Sequence, residues 1–318
     1  MRAVWLREFG GPERLVAAET PDPVAGPGQV VVAVEFANIT FVETQSRAGT
    51  GPFPMRLPTI PGNGVGGVVA EVGPDVDPAL RGRRVVSGTG GSGGYAERAA
   101  VPADGLIDVP DGLPLEHAVA LLADGRTALL LLETAEPRPG ERVLVEAAAG
   151  GVGSLLVQLA RTAGATVVAA AGGDRKLELA RELGADLAVD YSAPGWAERV
   201  RGGVGGLDVV FDGVGGALGR SAFDLLERGG RMVTFGLASG SWTEIPDEVA
   251  KERGAAVVRS LARSPEQLRE LSRRALAEAA AGRLRPVIGQ RFPLDRAADA
   301  HAAIQSRRTL GKTLLEVG

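Results

Sequence analysis

Val143-Leu-Val-Glu-Ala-Ala-Ala-Gly-Gly-Val-Gly153, followed by Ser154-Leu-Leu-Val-Gln-Leu-Ala-Arg161, constrains this chain more than any other stretch. Val143 to Val145 reads as a short buried strand and Ala147 to Gly153 as a turn of small residues. Ser154 to Thr162 reads as a helix with Leu155, Leu156, Leu159 and Ala160 on its inner side. Strand, glycine turn and helix in this order form the phosphate-binding part of a dinucleotide fold. The glycines let the backbone approach a pyrophosphate, and the helix N-terminus offers unpaired N–H groups and a positive dipole end. Aligned to G-x-G-x-x-G, the six positions are Ala148, Ala149, Gly150, Gly151, Val152 and Gly153, so alanine replaces the first glycine. A tight βα turn in some other α/β protein gives the same pattern, and the rest of the chain must decide.

The 318 residues suggest about two domains, each large enough to bury a core. With 35 basic and 39 acidic residues the formal charge is −4, which leaves no global basic field for nucleic acid. There is no cysteine, which removes disulfides, thiol nucleophiles and cysteine-ligated metals together. The N-terminus lacks the apolar run of a signal peptide, and no stretch of about 18 uninterrupted apolar residues is present. A cytoplasmic protein without membrane association is expected.

Residues 1–110 read as mostly β. Arg2 to Leu6, Val30 to Phe36, Gly66 to Val72, Arg83 to Ser87 and Tyr95 to Val101 are strand-like runs bounded by Gly and Pro, which suggests a compact antiparallel or barrel-like domain. Near residue 114 the pattern changes. Pro114–Leu122 and Gly125–Glu133 read as two helices. From Val143 onward strands (Thr166–Ala170, Leu187–Val189, Val209–Phe211, Arg231–Thr234, Ala256–Val258) alternate with helices such as Arg175–Leu183 and Gly219–Leu226. This alternation predicts a doubly wound parallel sheet. Ser264, Pro265 and Gln267 form a capping box that opens a further helix; Ala297–Gln305 is another, and Gly311–Val317 a closing strand.

Nearly end to end, the chain resembles the medium-chain dehydrogenase/reductase superfamily, within it the zinc-independent quinone oxidoreductase branch. The likeness is carried by Glu8-Phe-Gly-Gly-Pro12, Pro27-Gly-Gln-Val-Val-Val32, Asn38-Ile-Thr-Phe-Val-Glu43, Pro61-Gly-Asn-Gly64, Gly94-Tyr-Ala-Glu97, Ala147–Gly153, Gly184-Ala-Asp186, Phe235-Gly236 and Gly311-Lys312. The resemblance implies an α/β protein with two domains. Residues 1–120 and 263–318 would form a GroES-like β-rich catalytic domain, and residues 121–262 an NADPH-binding Rossmann domain inserted between them, with the active site in the cleft. It also implies a homodimer through the edge strand of the nucleotide-domain sheet, within residues 231–258. The residue pattern alone would not join the C-terminal piece to the first domain.

Zinc alcohol dehydrogenases of the superfamily carry a Gly-His-Glu turn where this chain has Gly62-Asn63-Gly64, so two ligands are missing by residue type. His117 and His301, the only histidines, fall in helical stretches and read as surface or satisfied interior residues. Without a Lewis acid, alcohol dehydrogenation is hard, and the chemistry shifts toward reduction of an electrophilic quinone or enone. NAD sites carry an acid about 20–25 positions after the glycine motif begins. That position is Gly172 here, with Arg175 and Lys176 just beyond, suited to a 2′-phosphate. The resemblance adds Tyr191 beside that phosphate, and the cofactor is expected to be NADPH; Asp174 weighs against it. The bland alternative is that Arg175 and Lys176 mark a solvated helix start.

At the reacting end, the resemblance puts Thr127 and Phe235-Gly236 near the nicotinamide, Lys312 among the cofactor residues, and Asn38, Thr40 and Glu43 near the acceptor. Cofactor contacts are thus expected from Ala149, Gly150, Gly151, Val152, Gly153, Gly172, Arg175, Lys176, Tyr191, Phe235, Gly236 and Lys312. Gln45 stands where many relatives carry tyrosine, and Leu237 where polyketide-type enoyl reductases carry lysine. The expected activity is metal-free hydride transfer from NADPH to a quinone or α,β-unsaturated carbonyl. Alternatives are an enoyl-thioester or 2-alkene reductase and a non-enzymatic NADPH-binding protein.

Overall fold

The protein is described from a computed structural model covering residues 1–52, 54–259 and 262–318. The N-terminal part contains β1 (Arg2–Leu6), β2 (Leu15–Glu19), β3 (Gln29–Ile39), α1 (Phe41–Ala48), β4 (Gly64–Val72), β5 (Arg84–Gly88), β6 (Arg98–Pro102) and β7 (Ile107–Asp108). Next come α2 (Leu115–Ala135), β8 (Arg142–Glu146), α3 (Gly151–Thr162), β9 (Thr166–Ala171), α4 (Asp174–Glu182), β10 (Leu187–Asp190) and α5 (Trp196–Val204). The chain continues with β11 (Leu207–Asp212), α6 (Gly216–Phe223), β12 (Leu226–Thr234), α7 (Asp247–Arg253) and β13 (Ala256–Val258). It ends with α8 (Pro265–Ala280), β14 (Ile288–Pro293), α9 (Ala297–Gln305) and β15 (Lys312–Glu316). None of the described helices is long and apolar enough to cross a membrane.

Two compact units result: Met1–Gly125 with Ser272–Gly318, and Arg126–Leu271. In the first, a seven-stranded sheet runs β14-β15-β3-β4-β5-β7, with β6 also paired to β3. β3 is apolar almost throughout rather than alternating, and most of its residues are inaccessible on both faces. Its Val30, Val32 and Val34 join Leu315 and Val317 of the C-terminus and Ala297, Ala300 and Ile304 around α9 in one core. The C-terminal piece therefore belongs to the first unit because β15 pairs antiparallel with β3, Thr313 opposite Ile39 and Leu315 opposite Ala37.

The second unit is a six-stranded sheet ordered β10-β9-β8-β11-β12-β13, every recorded pair parallel. Leu144, Val168, Val210, Met232 and Phe223 fill its core. The capping box of α8 is present: Ser264 N–H donates to Gln267 Oε1 (2.9 Å) and Gln267 N–H to Ser264 Oγ (3.2 Å).

Two local expectations need correction. The two helices read around Gly125 are one, α2. Gly125 is no break; a Cβ there would lie 2.8 Å from Ala275 Cβ on α8, so the glycine permits close helix packing. The helix expected at Gly219–Leu226 begins earlier, at Gly216, and stops at Phe223, because Leu226 already pairs with Leu207 as part of β12.

Candidate functional site

In the second unit the chain passes from β8 through α3 to β9 on one side, while β11 flanks β8 on the other. The strand order therefore reverses between β8 and β11, and open α/β sheets bind ligands at the carboxyl ends of the strands at such a point. The turn Ala147–Gly153 lies there, with Gly150 as the extended N-cap of α3. Ala147 takes a left-handed φ of 47°, uncommon outside glycine. A Cβ at Gly153 would overlap the Ala147 carbonyl oxygen, so the third motif glycine is required by close backbone approach. Ala149, Gly150, Gly151, Val152 and Gly153 thus gather at the amino end of a twelve-residue helix, whose first N–H groups suit a pyrophosphate.

At the ends of β9 and β10 lie Gly172, Arg175, Lys176 and Tyr191. Arg175 is exposed on the first turn of α4, beside the exposed Asp174, and Lys176 and Tyr191 are half-buried. Asp190 at the end of β10 accepts the N–H of Gly173 (3.2 Å) and of Ser192 (2.8 Å). The Ser192 hydrogen bonds, first among several causes, hold its carboxyl below the usual range. No acid occupies Gly172, so the two cations fit a 2′-phosphate at this corner better than a bare ribose.

Closer to the switch point, Phe235 and Gly236 follow β12, and their N–H groups both reach the Asp212 carbonyl (2.9 and 3.3 Å). Thr127 is half-buried on α2. Two carboxyls absent from the sequence reading, Glu146 and Asp212, are fully buried here at the ends of β8 and β11.

The first unit gathers Asn38, Thr40, Glu43 and Asn63. Thr40 is the N-cap of α1, and its N–H and Oγ1 both bond Glu43 Oε2 (2.7 and 2.9 Å). Asn63 Nδ2 donates to Thr40 Oγ1 at 3.2 Å. Asn38 is inaccessible, and neither polar atom of its side chain has a partner among the described residues. Burial raises the Glu43 carboxyl, opposed by its Thr40 hydrogen bonds and by Lys312. Asn63 and Gly64 bring neither an imidazole nor a carboxylate to this cluster. Lys312 pairs with Asp124 in a buried bridge of 2.9 Å, an arrangement within the first unit.

The residues around Glu43 include a buried pair that spacing gave no means of finding: Tyr95 Oη and His301 Nε2 lie 3.0 Å apart, although distant in sequence. His301 is a fully buried interior histidine whose ordinary affinity for a proton is lowered by burial to a pKa of about 3, so it is neutral. Its Nδ1 has no partner among the described residues. Tyr95→Phe strands Nε2 as well, and a loss of about 1–3 kcal/mol in urea unfolding is expected. The loss should persist from pH 5 to 8, because folded His301 does not titrate there.

Comparison with known proteins places these observations in one lineage. Residues 26–111 match the family model described as alcohol dehydrogenase GroES-like domain, and residues 151–277 that described as zinc-binding dehydrogenase. A quinone oxidoreductase of Pseudomonas aeruginosa is 35% identical over 99% of both chains. A 2-haloacrylate reductase of Burkholderia sp is 34% identical over 98% of both. The crystal structure of Escherichia coli quinone oxidoreductase complexed with NADPH superposes with a TM-score of 0.92 at 30% identity, covering 99% of this chain and all of that one. The chain belongs to the medium-chain dehydrogenase/reductase superfamily, in its quinone oxidoreductase branch.

Proposed function

We propose that the protein is an NADPH-dependent oxidoreductase that delivers hydride, without zinc, to a quinone or α,β-unsaturated carbonyl. The observation that carries this reading is the glycine turn on α3 at the switch point, with Gly172 rather than an acid just after β9 and Arg175 and Lys176 on the first turn of α4. A pyrophosphate fits the first feature and a 2′-phosphate the second. NADPH, when bound, supplies the hydride; the protein supplies position and electrostatics. Ala149 to Gly153 hold the pyrophosphate, Gly172, Arg175, Lys176 and Tyr191 the adenosine phosphate, and Thr127, Phe235 and Gly236 flank the nicotinamide. Asn38, Thr40 and Glu43 serve the acceptor. Metal independence follows from Asn63 and Gly64, which offer no imidazole or carboxylate, and from the absence of cysteine. The quinone oxidoreductase relatives support a quinone acceptor, and the 2-haloacrylate reductase supports an activated alkene as the second reading. A homodimer formed along β13 and a cytoplasmic setting complete the proposal.

The test is NADPH oxidation against a panel of small quinones and enones, with NADH in parallel and with a strong chelator present. Turnover that prefers NADPH and survives the chelator is expected. Binding of NADPH without turnover on any acceptor would place the protein among non-enzymatic dinucleotide binders, and loss of activity to the chelator would refute the metal-free mechanism.

A further inference from the structure

Glu146 closes β8 and Asp212 closes β11, each one step beyond the paired Val145 and Phe211, so the two carboxyls stand side by side at the switch point. Both are shut off from solvent, with 1% and 0% exposure. They share a donor: Val214 N–H lies 3.2 Å from Glu146 Oε2 and 3.2 Å from Asp212 Oδ1, and Gly215 N–H adds a 2.7 Å bond to the latter. Two carboxylates this close in a dry site cannot both remain ionised.

Among the described residues, Asp212 is the one titratable group that acts on Glu146. β9, alongside β8, carries only Thr166 and apolar residues. On α3, Arg161 is turned to the Gly184 carbonyl; on α6, Arg220 pairs with Asp224; on β12, Arg231 pairs with Glu141. The buried Thr243 hydroxyl is neutral, and its oxygen, Glu146 Oε1 and Asp212 Oδ2 have no hydrogen-bond partner among the described residues. Burial, reinforced by Asp212, pushes the Glu146 carboxyl well above its ordinary range.

The segment held by this pair is a hub. The Asp212 carbonyl accepts both N–H groups of Phe235-Gly236, and Ser239 N–H donates to the Val214 carbonyl (2.8 Å). Residues Asp212 to Gly215 thus tie the strand that precedes the phosphate turn to the turn that follows β12. We propose that Glu146 and Asp212 hold one proton between them, that this proton fastens the Asp212–Gly215 segment to the end of β8, and that its removal by alkali loosens the segment and weakens dinucleotide binding. Hydroxide takes the proton as water and leaves two facing carboxylates. Only the last part rests on the cofactor reading above.

A folded-state carboxyl held above its unfolded value keeps a proton that the unfolded chain has released, so stability falls as pH rises from about 4.3 toward the folded value. Glu146→Gln removes that dependence. Its amide oxygen still accepts from Val214, and its NH₂ donates to Asp212, so it imitates the protonated pair with nothing to lose. The experiment follows thermal unfolding of the full chain without dinucleotide from pH 6 to 10, and NADPH affinity by fluorescence over the same range. The wild type should lose stability toward high pH more steeply than Glu146→Gln. Its Kd should rise about tenfold more across this range than that of the variant. Equal slopes in unfolding overturn the shared proton, and equal slopes in Kd overturn its link to binding. If Glu146→Gln does not fold, the infrared carbonyl band of a protonated carboxyl in the wild type at pH 6, above the ordinary carboxylate range, serves instead: its presence, and its loss in Asp212→Asn, support the pair, and its absence overturns it. Failure of both proteins to bind NADPH at any pH would refute the cofactor reading, while unfolding and infrared still judge the pair.

Discussion

Asp124→Ala is expected to destabilise the first unit by about 3–5 kcal/mol. Asp124 and Lys312 are buried, with side-chain exposures of 10% and 4%, and their atoms meet at 2.9 Å. Removing the acid leaves an ammonium without its partner inside the protein, where an uncompensated charge costs far more than the pair contributes. Lys312 opens β15, the strand that joins the C-terminus to β3, so the cost falls on the pairing that completes this sheet. The double variant Asp124→Ala, Lys312→Met should recover most of the loss, since neither charge remains. Chemical denaturation of the four members of the cycle measures this, and a double variant as unstable as Asp124→Ala would refute it. The same proteins decide the role of Lys312. If it is chiefly structural, NADPH affinity at 20 °C should be unchanged in the double variant; if it is chiefly a cofactor ligand, affinity should fall even where the fold survives.

Replacing Arg175 and Lys176 together by alanine is expected to raise the NADPH Kd by about 100-fold and leave the NADH Kd within a factor of about three. Both residues lie on the first turn of α4, one exposed and one half-buried. Charge-assisted hydrogen bonds to a phosphate contribute roughly 1.5–3 kcal/mol each, reduced here by solvent at an open corner. Two such contacts amount to about 3 kcal/mol, and each 1.4 kcal/mol is about tenfold. The effect should shrink at high salt. Parallel losses for the two dinucleotides would show instead that the substitutions disturbed α4, and the assignment of the 2′-phosphate to this corner would fall.

Much of the site was legible because its determinants are local. A strand, a turn of small residues and a helix are written within Val143 to Thr162, and the structure realises them as β8, the turn and α3. Counting from that turn leads to Gly172, Arg175 and Lys176, since one βαβ unit fixes the interval, and the structure puts these residues between the end of β9 and the first turn of α4. Gly125 misled because a glycine inside a helix is the same symbol whether it ends the helix or admits a neighbour. The neighbour, Ala275, is remote in sequence.

By itself the sequence determined that no thiol chemistry is open to the chain, through the lack of cysteine, and that a turn of small residues, Ala147 to Gly153, stands between a strand and a helix. Tertiary structure alone decided which polar groups meet. Tyr95 and His301, Asp124 and Lys312, and Glu146 and Asp212 each join distant segments. The physical reason is that charge and hydrogen-bonding capacity are properties of a residue, whereas the burial that turns them into a neutral histidine, a fixed ion pair or a shared proton arises only when strand order brings two elements together and excludes water.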